Sequence, residues 1–220
     1  MKTAILACNT IRDELLLALE HTNCQHELFW VESNLHNFPD KLNFEIQKFL
    51  DKLDGYDRVL LAFGFCGNSI ANLQTYSFEL IVPRVDDCIS LLIGSVAERV
   101  RLGKETWRIY LTKGWLQNEA NMWSEYQHIL AKYGEKKAKY VMDAMYGHYE
   151  LLSVVDTGAY DLSAVLPTAE KMGQGFDLAV NVIAGTTSYL EQLLTGPYDS
   201  QRFIIVQPHS HLSIDELSLS

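Results

Sequence analysis

Cys8, Cys66 and Cys88 are the residues of this chain best suited to chemistry. Each closes an apolar run: Thr3-Ala4-Ile5-Leu6-Ala7 before Cys8, Val59 to Phe65 before Cys66, and Leu80 to Asp87 before Cys88. Thiolates attack electrophiles and bind soft or borderline metal ions. His36 lies just beyond a fourth run, Leu28-Phe29-Trp30-Val31. Three thiolates and one imidazole form a familiar ligand set for zinc. Three thiolates alone suit the alternative of an iron–sulfur cluster with an open iron site, clusters normally taking four. The four residues are scattered, so they make a site only if the fold gathers them.

The neighbours of these thiols have chemistry of their own. Gly64 and Gly67 flank Cys66 in Gly64-Phe65-Cys66-Gly67-Asn68, where they permit unusual backbone angles and the close approach of a ligand. Backbone N–H groups at such a turn bind anions. The plainer reading is a tight turn after a strand with a buried Cys. The pattern matches neither the dinucleotide fingerprint nor a Walker loop.

In Pro83-Arg84-Val85-Asp86-Asp87-Cys88, the thiol stands at the expected start of a helix, whose dipole would lower its pKa. Arg84 could grip an anionic substrate bidentately, or pair with a neighbouring aspartate. Asp86 could manage a proton, and Asp87 could act likewise or simply cap the helix. Trp115, in Thr112-Lys113-Gly114-Trp115, could wall a pocket or belong to the core. Asp156-Thr157-Gly158 could face a cleft or form an ordinary turn. Cys24, near His21 and His26, falls on the opposite edge and is expected to have no catalytic role. His148, His209 and His211 have no telling context, and no serine-hydrolase or zincin motif occurs.

The elements that must position these residues alternate in type. Strands are expected at 3–8, 27–32, 58–64, 79–83 and 107–112. Between them, Thr10 can cap a helix carrying Leu15, Leu16 and Leu19, with Asp13 and Glu14 in its first turn. Pro39 starts another helix, and 89–101 reads as one helix closed by Gly103. The rhythm requires a mostly parallel sheet of Rossmann or flavodoxin-like type, and the runs lack alternation because both faces are covered. In such a sheet the carboxyl ends of the strands gather in the ligand crevice. Residues 1–117 form the expected five-stranded N-terminal α/β lobe. Residues 118–147 are read as a helical connector, and 148–220 as a smaller α/β lobe with a polar tail.

Composition narrows the function classes. Of 220 residues, 48% are hydrophobic and the net charge is −10. The charge argues against non-specific nucleic-acid binding and against anionic membrane surfaces. No run approaches a spanning helix and no secretory leader is visible, so cytoplasmic residence is expected. Sparse cysteines without a CxxC pair favour reduced thiols.

Taken together, the motifs Ile5-Leu6-Ala7-Cys8, Leu35-His36-Asn37-Phe38-Pro39, Gly64-Phe65-Cys66-Gly67, Pro83 to Cys88, Gly94-Ser95, Thr112 to Trp115 and Asp156-Thr157-Gly158 resemble the family DUF1638. The chain departs from the family pattern late, at Gly185-Thr186-Thr187 and Gln207-Pro208-His209. The resemblance implies an association with corrinoid-dependent methyl-transfer systems and one-carbon metabolism.

The expected function is a metalloenzyme in which Cys8, Cys66 and Cys88, with His36 as a fourth ligand or supporting donor, hold zinc as a Lewis acid that activates a thiol or water. The substrate would be a small anion or thiol, and corrinoid would enter only through a partner protein. The rival expectations are a non-catalytic accessory protein and a metal-free enzyme with Cys88 as nucleophile.

Overall fold

The structure, a computed structural model, describes residues 1–32, 35, 38–118 and 121–217. Its larger sheet contains β1 (Thr3–Cys8), β2 (Glu27–Val31), β3 (Arg58–Ala62), β4 (Glu79–Pro83) and β8 (Phe203–Val206) in the order β2-β1-β3-β4-β8. The first four run parallel, and β8 lies antiparallel to β4. Every residue of β1 is buried, as its unbroken apolar run requires in a sheet covered on both faces. The chain places β2 on one side of β1 and β3 on the other. The winding therefore reverses between β1 and β3, and the crevice beyond their carboxyl ends is the switch point where such sheets bind ligands.

The smaller sheet is parallel, in the order β5 (Arg108–Leu111), β6 (Leu151–Asp156) and β7 (Ala179–Ala184). This corrects the expected strand membership. The strand read at 107–112 pairs with β6 and not with the first four strands, and β8 supplies the fifth strand of the larger sheet. Apolar runs reveal that a strand exists but not its partner, because pairing is decided by distant residues.

Helices cover both sheets. A 3-10 turn at Asn9–Ile11 leads into α1 (Arg12–Thr22), whose N-cap, Ile11, makes no side-chain bond. Thr10 is therefore not the cap; its N–H donates to Cys8 Sγ at 3.4 Å. In α2 (Pro39–Leu50), Leu42, Ile46 and Leu50 form the buried stripe. The single helix expected at 89–101 is two, α3 (Cys88–Leu92) and α4 (Val96–Glu105), because Gly94 at φ +94° turns the chain and Ser95 caps the second.

Thr112 caps α5 (Lys113–Gln117). Then α6 (Met122–Tyr133) and α7 (Glu135–Tyr146) pack together, and α7 meets α8 (Leu166–Phe176). Met122 and Met142 sit in the second core with Leu152, Val154 and Met172, so these helices are part of that core. The late helix α9 (Ser188–Thr195) crosses back to pack on α1, and its Leu190 and Leu193 join the first core. No described helix is long and apolar enough to cross a membrane.

Candidate functional site

The site begins with backbone contacts beyond β3 and β4. Phe65 N–H donates to Val85 O at 2.9 Å, and Cys66 N–H to Asp86 O at 2.8 Å. The two segments thus stay joined past the ends of their strands. Gly64 makes this possible: a Cβ there would fall 2.4 Å from the carbonyl carbon of Asp87. Cys66, Gly67 and Asn68 then adopt φ values of +44°, +69° and +66°. Such a conformation is uncommon for residues other than glycine. It swings the chain away from the sheet.

This folding brings three thiols together. The Cys66 and Cys8 thiols and the Gly64 backbone lie near enough to Cys88 to bias its titration. Cys8 and Cys88 are buried, and Cys66 is half-buried. The neighbouring Cys66 thiol and burial push the Cys88 thiol well above its ordinary pKa, although Cys8 and Gly64 pull the other way. The expected lowering by the helix dipole is thus corrected: the five residues of α3 do not outweigh a second sulfur and the loss of water.

The donor set is chemically right for zinc or an iron–sulfur centre. Among the described residues, however, no three His, Cys, Asp or Glu side chains already stand as a metal cage. His36, the expected fourth donor, lies outside the described residues.

Other expected site residues divide. Asp87 caps α3 by accepting from Ser90 N–H at 3.0 Å and pairs with Arg99 at 3.1 Å. Asp86 accepts from the Ser90 hydroxyl. Trp115 lines the cleft beside Cys66 and Cys88. Gly64 and Gly67 shape the turn by their backbones. Arg84 is not brought to the cleft: its Nε donates to Ser200 O at 3.2 Å and Nη1 to Glu216 O at 2.7 Å. Its expected grip on an anion is therefore replaced by a tie to the C-terminal segment. Cys24, which precedes β2, sits at the amino-terminal edge of the sheet, away from the other three.

Cys66 and Cys88 open onto a cleft of about 850 Å³ between the two sheets, with Cys8 buried behind them. Its far wall comes from β5, α5 and α6. The approach is close: a Cβ on Gly114 would fall 1.9 Å from Thr10 O, so α5 rests on the backbone just after Cys8. Arg99, Arg108 and Tyr110 line this cleft and were not among the expected site residues. The available signal was the i, i+2 spacing of Arg108 and Tyr110, which puts both on one face of a strand.

Behind the cleft, Glu14 is buried on α1. Desolvation raises its carboxyl pKa to about 7, and Thr157 donates to it at 3.4 Å.

No curated protein and no solved structure matches the chain. The model of one protein family, described as a protein of unknown function (DUF1638), matches residues 30–194, a span that holds Cys66, Cys88 and the cleft-lining arginines but begins after Cys8. That span is most of the 220 residues, and the chain belongs to the DUF1638 family.

Proposed function

We propose that this protein is a thiolate-based metalloenzyme in which Cys8, Cys66 and Cys88 bind zinc, with His36 as the fourth donor. The observation that carries the proposal is the meeting of three thiols, from the ends of three strands, at the switch point and beside a large cleft. Binding would draw Cys8 and Cys66 around an ion next to Cys88. Zinc there would supply Lewis acidity. Asp87 and Arg99, paired at 3.1 Å, line the same cleft, where they would orient what enters.

The reaction class we propose is methyl transfer to a thiol substrate, with the corrinoid of a partner protein as methyl donor. The substrate sulfur would gain the bond to carbon and release its proton, the partner's corrinoid supplying the methyl group and retaining the electron pair of the bond that breaks. A bare nucleophile at Cys88 fits the site less well, because that thiol is buried and its pKa is raised.

The test is elemental analysis with an absorption spectrum on protein purified without oxygen. Stoichiometric zinc and a colourless solution are expected; a brown solution containing iron and sulfide would replace zinc with a cluster. Substitution of each cysteine by serine should lower metal content sharply. Unchanged metal content in all three variants would sink the proposal.

A further inference from the structure

Four cleft-lining side chains have a buried polar atom with no hydrogen-bond partner: Thr10 Oγ1, Arg99 Nε, Arg108 Nε and Tyr110 Oη. Among the described residues only seven side-chain atoms are in that state, and four of them belong to side chains that line this one cleft. Native proteins rarely leave such groups unmade. All four can donate a hydrogen bond, and the two guanidinium nitrogens can do nothing else.

Their placement is consistent. Arg108 and Tyr110 project from the same face of β5 and are 8% and 7% exposed. Arg99 reaches from α4 to lie over the Tyr110 ring, 4.3 Å from its centroid. The Asp87 carboxylate engages one nitrogen of Arg99 at 3.1 Å. Among the described residues, the ion pair of Arg108 is with Glu105, at 3.5 Å, a carboxylate itself 52% exposed. Glu125 and His128 also line the cleft. Two arginines, a tyrosine and a threonine therefore line a space whose other walls include Ile89, Leu92, Trp115 and Tyr149.

We infer that the cleft binds a small organic anion, with its carboxylate or phosphoryl group held by Arg99, Arg108 and Tyr110 and its apolar body against the aromatic wall. Guanidinium pairs suit either anion, because both present acceptor oxygens at the spacing of the fork. This deepens the proposed function by naming the substrate class at the same site, and it rests on that reading only for the chemistry done there. The anionic end would lie on the β5 side, with the rest of the molecule reaching toward Cys66 and Cys88.

The experiment is calorimetric titration of the full chain with inorganic phosphate, benzoate and the neutral analogue benzamide. Saturable millimolar binding of phosphate or benzoate is expected, with benzamide about tenfold weaker or worse. Arg108→Gln and, as the more exposed and better tolerated change, Arg99→Gln should each weaken anion binding about tenfold or more. Arg84→Gln should leave it unchanged. Saturation by neither anion, or wild-type affinity in a folded Arg99→Gln protein, would overturn the inference. Metal content measured on the same samples keeps the two ideas apart. Anion binding without metal sinks the metal proposal alone, and metal without anion binding sinks this inference alone.

Discussion

Gly64 and Asp87 touch through their backbones so closely that a single methyl group on Gly64 would lie 2.4 Å from the Asp87 carbonyl carbon. Cys66 and Cys88 stand one or two residues from this contact, so it sets the separation of their sulfurs. Gly64→Ala should force the two segments apart and cost about 1–3 kcal/mol, as overpacking does. Chemical denaturation measures the loss. Gly103→Ala is the comparison: among the described residues nothing outside the backbone of its own helix and its chain neighbours lies within 4 Å of a Cβ there, and α4 should gain up to about 1 kcal/mol. Equal effects at both glycines would remove the contact from the account of the site.

The sequence foretold much of this site, for a physical reason. Cys8, Cys66 and Cys88 were readable together because uninterrupted apolar runs mark doubly covered parallel strands, and parallel strands carry their carboxyl ends to one edge. Sheet membership was not readable. The runs that became β5 and β8 look alike in isolation, yet one pairs with β6 and the other with β4. Arg84 shows the same limit. It adjoins the Asp86-Asp87-Cys88 motif, but its partners are carbonyls more than a hundred residues away. Arg108 was hidden in the opposite sense, as an ordinary residue of a strand whose sheet borders the cleft from the other side.

Arg84 is predicted to be a structural tie. Two of its nitrogens donate to the carbonyls of Ser200 and Glu216, joining the end of β4 to the C-terminal segment. Arg84→Met should cost about 1–3 kcal/mol, because hydrogen bonds from a charged donor are lost and carbonyls lose their partner. Denaturation midpoints give the loss, and limited proteolysis should cut the segment after β8 faster. Full stability with abolished anion binding would restore Arg84 to the cleft.

Glu14 should make stability depend on pH. Burial is the main cause of its rise from 4.5 to about 7, with Asp13 adding to it and the backbone, Thr157 and Lys113 opposing it. Tyr160 lies within electrostatic reach of it. A carboxyl whose folded pKa is the higher one binds more protons folded than unfolded, so stability falls as pH rises between those values. Below about pH 4.5 the group is neutral in both states and carries no penalty. Above about pH 7 the full penalty, about 3 kcal/mol, applies. Glu14→Gln keeps an acceptor for Thr157 and removes the charge. Denaturation at pH 5 and pH 8 should therefore show a difference between wild type and variant that grows at the higher pH. A constant difference would assign the burial cost to something other than this carboxylate.

The four cysteines should separate by reactivity. Cys24 and Cys66 are half-buried, whereas Cys8 and Cys88 are buried. Alkylation requires both access and a thiolate, and Cys88 is held protonated by its neighbours. A short pulse of iodoacetamide on metal-free protein, read by mass spectrometry, should label Cys24 and Cys66 first and reach Cys8 and Cys88 only with unfolding. Zinc should then protect Cys66 while leaving Cys24 as reactive as before, because Cys66 belongs to the proposed cluster and Cys24 does not. Protection of Cys24 as well would place the ion elsewhere. Fast labelling of Cys88 in the folded, metal-free chain would instead revive it as a bare nucleophile.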